Sequence, residues 1–260
     1  GEPLRLFVED HWAFPRRMRS ESISTDDRLQ ISDPEERTLS RKTLIRSAIP
    51  VVAIILAAVA FAVFEPIQVL PRIRLAPGYL LTDQNAATLT SEDVRGDIVL
   101  YNFGYTNCGE ACDSMNSTMG AIRGRLDEVD TGDTAVRFVT ISFDPGTDNP
   151  EVLDDYASQV GADSESWTFA TAEPDHLANV VKAGFRAYYE DHGDGSFSFD
   201  PVFVLVDGWG VIRGEYRYQT SADDTDKILR HIDILGEEIR NAHGAASLAY
   251  EAAHFFLCYP

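Results

Sequence analysis

The stretch 98–112 constrains the fold of this chain more than any other part of the sequence. Residues 98–103 form an almost uninterrupted apolar run, which predicts a strand that is buried on both faces. Gly104 and Asn107 end that strand, and a helical pattern begins near Glu110. The sequence therefore predicts a strand that turns directly into a helix.

Two cysteines, Cys108 and Cys112, stand four residues apart across this turn. Residues with that spacing lie on one face of a helix, so the two sulfurs are placed to form a disulfide or to hold one soft metal ion. A thiolate at a helix N-terminus is stabilised by the helix dipole, which makes Cys108 the expected attacking sulfur and Cys112 the resolving one. The alternative is a pair of buried cysteines with a packing role.

The charge balance excludes one class of partner. The chain has 22 Lys and Arg against 42 Asp and Glu, a net charge of -20, whereas nucleic-acid binding requires a basic face. Three cysteines are too few for a small domain held together by disulfides. We expect the third one, Cys258, to be an unpaired apolar residue.

The N-terminal part predicts an arm and an anchor. Residues 1–47 alternate charges, Ser and Pro, which is typical of a weakly ordered polar arm. Residues 48–64 carry no charge; a helix of that length spans about 25 Å against a bilayer core of about 30 Å, and apolar residues up to Leu70 extend it. We therefore predict a transmembrane helix at 48–70, in contact with membrane lipid. A secretory signal is the alternative, disfavoured because a long polar arm precedes the apolar run.

Basic residues predict the orientation of this segment. Four of them stand just before it, at positions 37, 41, 42 and 46, whereas Arg72 and Arg74 alone follow closely. The positive-inside rule then places the N-terminus in the cytoplasm and the later domain on the periplasmic or extracellular side of the cell membrane. A dithiol on that side meets oxidising surroundings.

Strands and helices alternate in the rest of the chain. We predict strands at 98–103, 136–143, 167–171 and 202–206, helices at 110–129, 151–160 and 173–183, and a final hairpin and helix ending near 243. This order is typical of a thioredoxin-like fold, an α/β domain at 71–243 with a mixed central sheet. The apolar tail 244–260 predicts an amphipathic helix that lies on the membrane, on a partner or on its own domain.

Four strings of residues carry a resemblance to a known family. They are Tyr-Leu-Leu-Thr-Asp-Gln at 79–84, Val-Arg-Gly-Asp-Ile-Val-Leu at 94–100, Phe-Gly-Tyr-Thr-Asn-Cys-Gly-Glu-Ala-Cys at 103–112 and Val-Thr-Ile-Ser-Phe-Asp-Pro at 139–145. Over residues 78–240 the chain resembles the Sco/SenC family of membrane-tethered, thioredoxin-like copper chaperones of cytochrome c oxidase. The resemblance implies that copper(I) is held by Cys108, Cys112 and a histidine.

The chain departs from the family at that histidine. Matching on Asp200 puts Pro201 in its place, and counting back from Asp207 puts Phe199 there; neither side chain binds a metal. His192, in the preceding glycine-rich loop, is the remaining candidate third ligand, although it also fits a solvated loop histidine.

Three further residues are relevant to the site. Pro201 stands where thioredoxin-like proteins carry a cis-proline facing the dithiol, so it is a candidate for thiol exchange; an ordinary trans proline at a strand start is the alternative. Asp144 and Asp148 flank Pro145 and Pro150, so we expect them to act as turn and helix caps rather than as a cation site.

The resemblance implies a membrane-anchored accessory protein that handles copper or keeps thiols reduced while the copper site of a terminal oxidase is assembled. Its implied partners are subunits of a respiratory oxidase or of another membrane electron-transfer complex. The missing histidine keeps two alternatives open: a thiol-disulfide oxidoreductase without copper, and a structural subunit of such a complex. A metallochaperone or accessory role is favoured over an enzyme.

Overall fold

The structure is a computed structural model that describes residues 49–56, 68–217 and 222–242 and five positions near the C-terminus, 247, 250, 251, 253 and 254. The chain divides into two compact units, 1–58 and 59–260. In the first unit, residues 49–56 form a helix, α1, in which every residue is exposed. The predicted polar arm 1–47 lies outside the described residues.

The predicted transmembrane helix 48–70 is described only at its two ends. Residues 57–67 lie outside the described part, and residues 68–70 are not helical. Val69 and Leu70 are fully buried in the second unit, where Val69 packs against Tyr250 and Ala253. The prediction is therefore wrong at its C-terminal end, because these apolar side chains belong to a protein core. Among the helices that the structure describes, none is long and apolar enough to cross a membrane.

Within the described residues, eight strands form the central sheet; numbered along the chain, with the bounds given below, they lie in the order β1-β10-β9-β4-β5-β6-β2-β3. β4 (Ile98–Gly104) pairs in parallel with β5 (Val136–Ser142), which pairs in parallel with β6 (Trp167–Thr171). β9 (Val202–Val206) is antiparallel to β4. The other strands of the sheet are β1 (Arg74–Leu75), β2 (Leu80–Asp83), β3 (Thr88–Thr90) and β10 (Val211–Arg217). The mixed sheet predicted from the sequence is confirmed.

Helices cover both faces of this sheet. They are α2 (Glu110–Arg123), α3 (Pro150–Gln159), α4 (Pro174–Leu177) with a π-helical continuation (Ala178–Phe185), and α5 (Ala222–Arg240). Alternate residues of β4 point to opposite sides: Ile98 packs with α2, α3 and α5, whereas Val99 packs with α4 and its continuation. This two-sided burial explains the apolar run that begins at residue 98.

Two predicted helices differ from the expectation, the first in length and the second in helix type. The helix expected at 110–129 ends at Arg123, where Gly124 follows and a 3-10 turn (Leu126–Glu128) takes over; glycine is a poor helix former. The helix expected at 173–183 is only one turn of α-helix before the π-helical segment, which ends at Arg186 in the left-handed region.

The described part of the C-terminal tail packs on its own domain. The Tyr250 hydroxyl donates to Glu237 Oε1 at 3.0 Å, and His254 Nε2 lies 2.9 Å from Glu238 Oε1, so both side chains reach α5. Of the alternatives for residues 244–260, the described positions support a tail that lies against its own domain. Cys258 lies outside the described residues.

Candidate dithiol site

The cysteine-bearing loop, residues 105–109, begins where β4 ends and stops where α2 begins. Cys108 and Cys112 are joined by a disulfide, with their Cα atoms 5.7 Å apart. Gly104 makes this arrangement possible, since a Cβ at that position would lie 2.7 Å from Cys112 Sγ. Gly109 completes the turn with a φ of 64°, a backbone conformation that residues other than glycine rarely adopt.

The two sulfurs differ in exposure. Cys112 is 4% exposed, whereas Cys108 is half-buried at the edge of both halves of the core. A disulfide between a half-buried cysteine and an enclosed one suits exchange, because a partner thiol can approach the more exposed residue. The interpretation of both cysteines as fully buried packing residues therefore does not fit Cys108.

An aromatic hairpin faces the cysteine-bearing loop. β7 (Tyr189–Asp191) and β8 (Phe197–Phe199) form a separate two-stranded sheet. The ring of Tyr105, in the loop, lies 4.9 Å from that of Phe197, and Phe143 stacks on Tyr189 at 4.6 Å. Phe199 packs, like Cys108, against both halves of the core. Apolar rings therefore line the side of the site where the family resemblance predicts a histidine.

His192 lies at the exposed tip of this hairpin, where its Nε2 is 2.8 Å from Ser198 Oγ. Within the part of the chain that the structure describes, no three side chains of His, Cys, Asp or Glu are grouped to hold a metal ion. The structure thus does not bring His192 into a ligand set with the two cysteines. The other described histidines bond elsewhere: His176 to the Leu80 amide, His231 to Tyr216 and His254 to Glu238.

Pro201 stands just before β9 and is half-buried. Because Asn102 of β4 is paired with Phe203 of β9, Pro201 lies at the carboxyl end of β4, the end that continues into the cysteine-bearing loop. No peptide bond among the described residues is cis. Pro201 is therefore at the predicted place but follows a trans bond, the alternative that a proline at a strand start allows.

Asp148 is the residue that sequence reasoning misjudged. It is not the cap of α3, because Asn149 has that role and accepts from the Val152 amide at 3.1 Å. Asp148 is instead 0% exposed and accepts hydrogen bonds from the Thr106 amide at 3.0 Å, from the Thr106 hydroxyl and from Ser142 Oγ. It ties the cysteine-bearing loop to β5. Burial raises its pKa above the usual range of an aspartate.

Comparison with known proteins identifies the family. A family model described as SCO1/SenC matches residues 69–233. The SCO1 protein homolog of Bacillus subtilis (strain 168) is 26% identical over 142 residues, which are 53% of this chain and 71% of that protein.

Solved structures confirm the fold. A SCO1/SenC family lipoprotein from Bacillus anthracis str. Ames has a TM-score of 0.55 at 22% identity, over 62% of this chain and 95% of that one. Arabidopsis thaliana ScoI with copper bound has a TM-score of 0.54 at 20% identity, over 61% of this chain and 98% of that one. Since the family model covers more than half of the sequence, this chain belongs to the SCO1/SenC family.

Proposed function

We propose that this chain is an accessory protein of oxidase assembly that exchanges its dithiol with a partner's disulfide, and so keeps the thiols of a copper site reduced. The observation that carries the proposal is the disulfide at the start of α2, with Cys108 accessible and Cys112 enclosed. Membership of the Sco family, whose members are described as cytochrome c oxidase assembly proteins, supports the choice of partner.

The exchange has two steps. The Cys108 thiolate attacks one sulfur of the partner disulfide, which forms a mixed disulfide and releases one partner thiolate. Cys112 then attacks Cys108 Sγ, loses its proton, closes the intramolecular disulfide and releases the second partner sulfur. Two electrons pass from the dithiol to the partner, whose cysteines are left reduced and ready to bind copper.

Copper(I) as cargo is the second candidate function. The reduced pair supplies two thiolates, which are the ligands that copper(I) prefers, and one structural neighbour was solved with copper bound. Among the described residues no third ligand joins the two cysteines, because Phe199 and Pro201 cannot bind metal and His192 is bonded to Ser198. The two cysteines would therefore hold copper(I) alone.

We further propose that the segment around α1 anchors the protein in a membrane, with the second unit outside the cytoplasm. Its large apolar side chains are all exposed, from 52% at Val52 to 68% at Ile54, and an exposed apolar helix requires a partner surface or lipid to cover it. A location outside the cytoplasm also suits a persistent disulfide. Extraction of the full chain from membranes by detergent, and not by high salt, tests the anchor.

The exchange is tested with the full chain, insulin and dithiothreitol. We expect Cys108→Ser to lower the rate of insulin reduction by about 100-fold or more, because it removes the attacking sulfur. Cys112→Ser should accumulate a mixed disulfide that mass spectrometry detects. Cys258→Ser is the matched control and should leave the rate unchanged. If the unsubstituted chain reduces insulin no faster than Cys108→Ser, the exchange proposal is wrong.

Copper is tested in the same preparations. A reduced chain that retains one copper(I) against a competing chelator, and loses it in Cys108→Ser, supports the second candidate. A chain that is inert in both assays and co-purifies with oxidase subunits would contradict both candidates and leave a structural subunit.

A further inference from the structure

A small cavity lies beside the enclosed sulfur of the dithiol. Its volume is about 10 Å³, and its wall includes Cys112, Asp148, Asn116 and Tyr156. A space of that size holds roughly one water, which is stable only where polar groups surround it. The resolving cysteine, Cys112, and a carboxylate with no exposed surface, Asp148, therefore line the same cavity.

The resolving step creates a proton that has to leave this enclosed place. Cys112 must become a thiolate before it attacks, and burial opposes that ionisation. Bulk solvent barely reaches a side chain that is 4% exposed. An acceptor inside the cavity would remove this obstacle.

The wall of the cavity offers one suitable acceptor. Burial raises the pKa of the Tyr156 hydroxyl, so that group stays protonated. The asparagines, threonines and serine of the wall do not ionise near neutral pH, and Tyr105 brings a phenol rather than a carboxylate. Among the residues that the structure describes, Asp148 is the only carboxylate that lines the cavity.

The surroundings of Asp148 suit this role. Its three hydrogen bonds come from neutral groups, Thr106 and Ser142, and none of the ion pairs found among the described residues includes it. A carboxylate without a cationic partner in a buried site binds a proton more readily than an exposed one does. Its raised pKa brings it closer to that of a thiol, which favours proton transfer.

We propose that Asp148 accepts the proton of Cys112, through one water in this cavity, when the dithiol closes. In that step Cys112 Sγ forms its bond to Cys108 Sγ, the bond between Cys108 and the partner sulfur breaks, and the electron pair leaves with that sulfur as a thiolate. The proton passes from Cys112 to Asp148 and then to solvent. When a partner dithiol reduces the disulfide, the same route returns a proton to Cys112. The inference rests on the proposed thiol exchange.

Asp148→Asn is a sharp test because the amide preserves the hydrogen bonds. Asp148 Oδ2 accepts from the Thr106 amide and Ser142 Oγ, and Oδ1 accepts from the Thr106 hydroxyl. In Asp148→Asn the amide oxygen replaces Oδ2 and accepts the same two hydrogen bonds. The amide nitrogen replaces Oδ1 and donates to the Thr106 hydroxyl. The loop therefore keeps its place, but the side chain can no longer accept a proton. Asp154→Asn is the matched control, because Asp154 is an exposed carboxylate of α3 that does not line the cavity.

The two steps are separated by stopped-flow mixing of the reduced full chain with the disulfide reagent dithionitrobenzoate, in a Cys258→Ser background in which Cys108 and Cys112 are the only thiols. The first thionitrobenzoate released reports attack by Cys108, and the second reports closure by Cys112. Near neutral pH we expect Asp148→Asn to slow the second release by about 100-fold, the size of a general-base contribution, and to change the first by less than about twofold. Asp154→Asn should change neither.

An unchanged second release in Asp148→Asn overturns the inference, and so does an equal slowing of both releases, which would indicate a displaced loop. This reagent reacts with any accessible thiol, so the result is separate from the insulin assay. A chain that fails with insulin, but whose second release depends on Asp148, would contradict the proposed function alone.

A measurement on the unsubstituted chain covers the case in which Asp148→Asn does not fold. Carboxyl carbon NMR follows the titration of Asp148 in the disulfide and the reduced forms. We expect reduction to lower the pKa of Asp148, because the Cys112 thiol then donates, through water, to the ionised carboxylate. Asp144 and Tyr156 also face Asp148, but reduction of the disulfide changes no covalent bond of either residue. Identical titration curves would overturn the inference.

Discussion

The two ends of the central strand β4 bury carboxylates in opposite surroundings. At the carboxyl end, beside the dithiol, Asp148 is held only by neutral donors. At the amino end, Arg213 is fully buried and donates to Asp207 Oδ2 at 2.9 Å and to Glu238 Oε2 at 2.6 Å. The first carboxylate can take up a proton without losing an ion pair, whereas each of the other two forms an ion pair with the buried guanidinium.

The difference separates a reactive end from a structural end. Arg213 Nη2 also donates to the Leu70 carbonyl at 2.7 Å, and Glu238 contacts His254 of the tail. The ion network thus connects α5 with Leu70, which precedes the first strand, and with His254 of the C-terminal tail. The network at Asp148 attaches only the cysteine-bearing loop. The buried ion pairs therefore stabilise the amino end of β4. At the carboxyl end, Asp148 forms no ion pair among the described residues and can exchange a proton.

Removing the cation from the structural end should have the largest effect on stability. Arg213→Leu removes the buried guanidinium that pairs with both Asp207 and Glu238, and we expect it to lower the free energy of unfolding by about 3–5 kcal/mol. Urea unfolding followed by circular dichroism measures the loss. Arg125→Leu, which removes only surface ion pairs to Glu128 and Asp226, should leave the midpoint unchanged. Equal midpoints for both variants would contradict the comparison.

Acid should lower the stability of the domain through α5, the helix that carries Glu238 of the ion network. His231 of α5 lies 2.7 Å from the Tyr216 hydroxyl, and burial, with Lys227 and Arg230 nearby, lowers its pKa from 6.5 to about 4. The unfolded chain then binds the proton more tightly, so stability is complete above pH 6.5 and falls as the pH drops towards 4. The expected loss is about 3 kcal/mol.

The measurement is urea unfolding at a series of pH values, compared with His231→Gln, which has no ionising group at that position. The two proteins should diverge between pH 6.5 and 4. Parallel curves over that window would show that His231 does not contribute to acid unfolding.

The smallest expected effect concerns the reactive end. Phe199 and Cys108 border the same two halves of the core, so Phe199→His should supply a third ligand to the reduced pair. We expect copper(I) retention against a chelator to increase about tenfold, which is the lower end of the effect that residues around a metal site have on metal affinity. Pro201→His is the matched control, with no gain expected. A larger gain from the control would show that the family histidine corresponds to position 201.

The sequence determined the architecture and the position of the dithiol. The apolar run from Ile98, the turn at Gly104 and the four-residue spacing of the cysteines predict a strand, a loop and a helix because each depends on neighbours in the chain. The same local patterns located β5, β6 and α3 to within one residue or so at each end. The thioredoxin-like fold and the Sco/SenC resemblance followed from them, and both are confirmed.

Only the tertiary structure decided what surrounds the two sulfurs. Asp148 reads as a helix cap in the sequence, yet its partners are Thr106, 42 positions away, and Ser142 of β5. Val69 and Leu70 read as the end of a membrane helix, yet the domain core buries them. In both cases the residue type allows two environments, and burial against distant segments selects one of them, because the free energy of a buried carboxylate or an apolar side chain depends on contacts that local sequence does not contain.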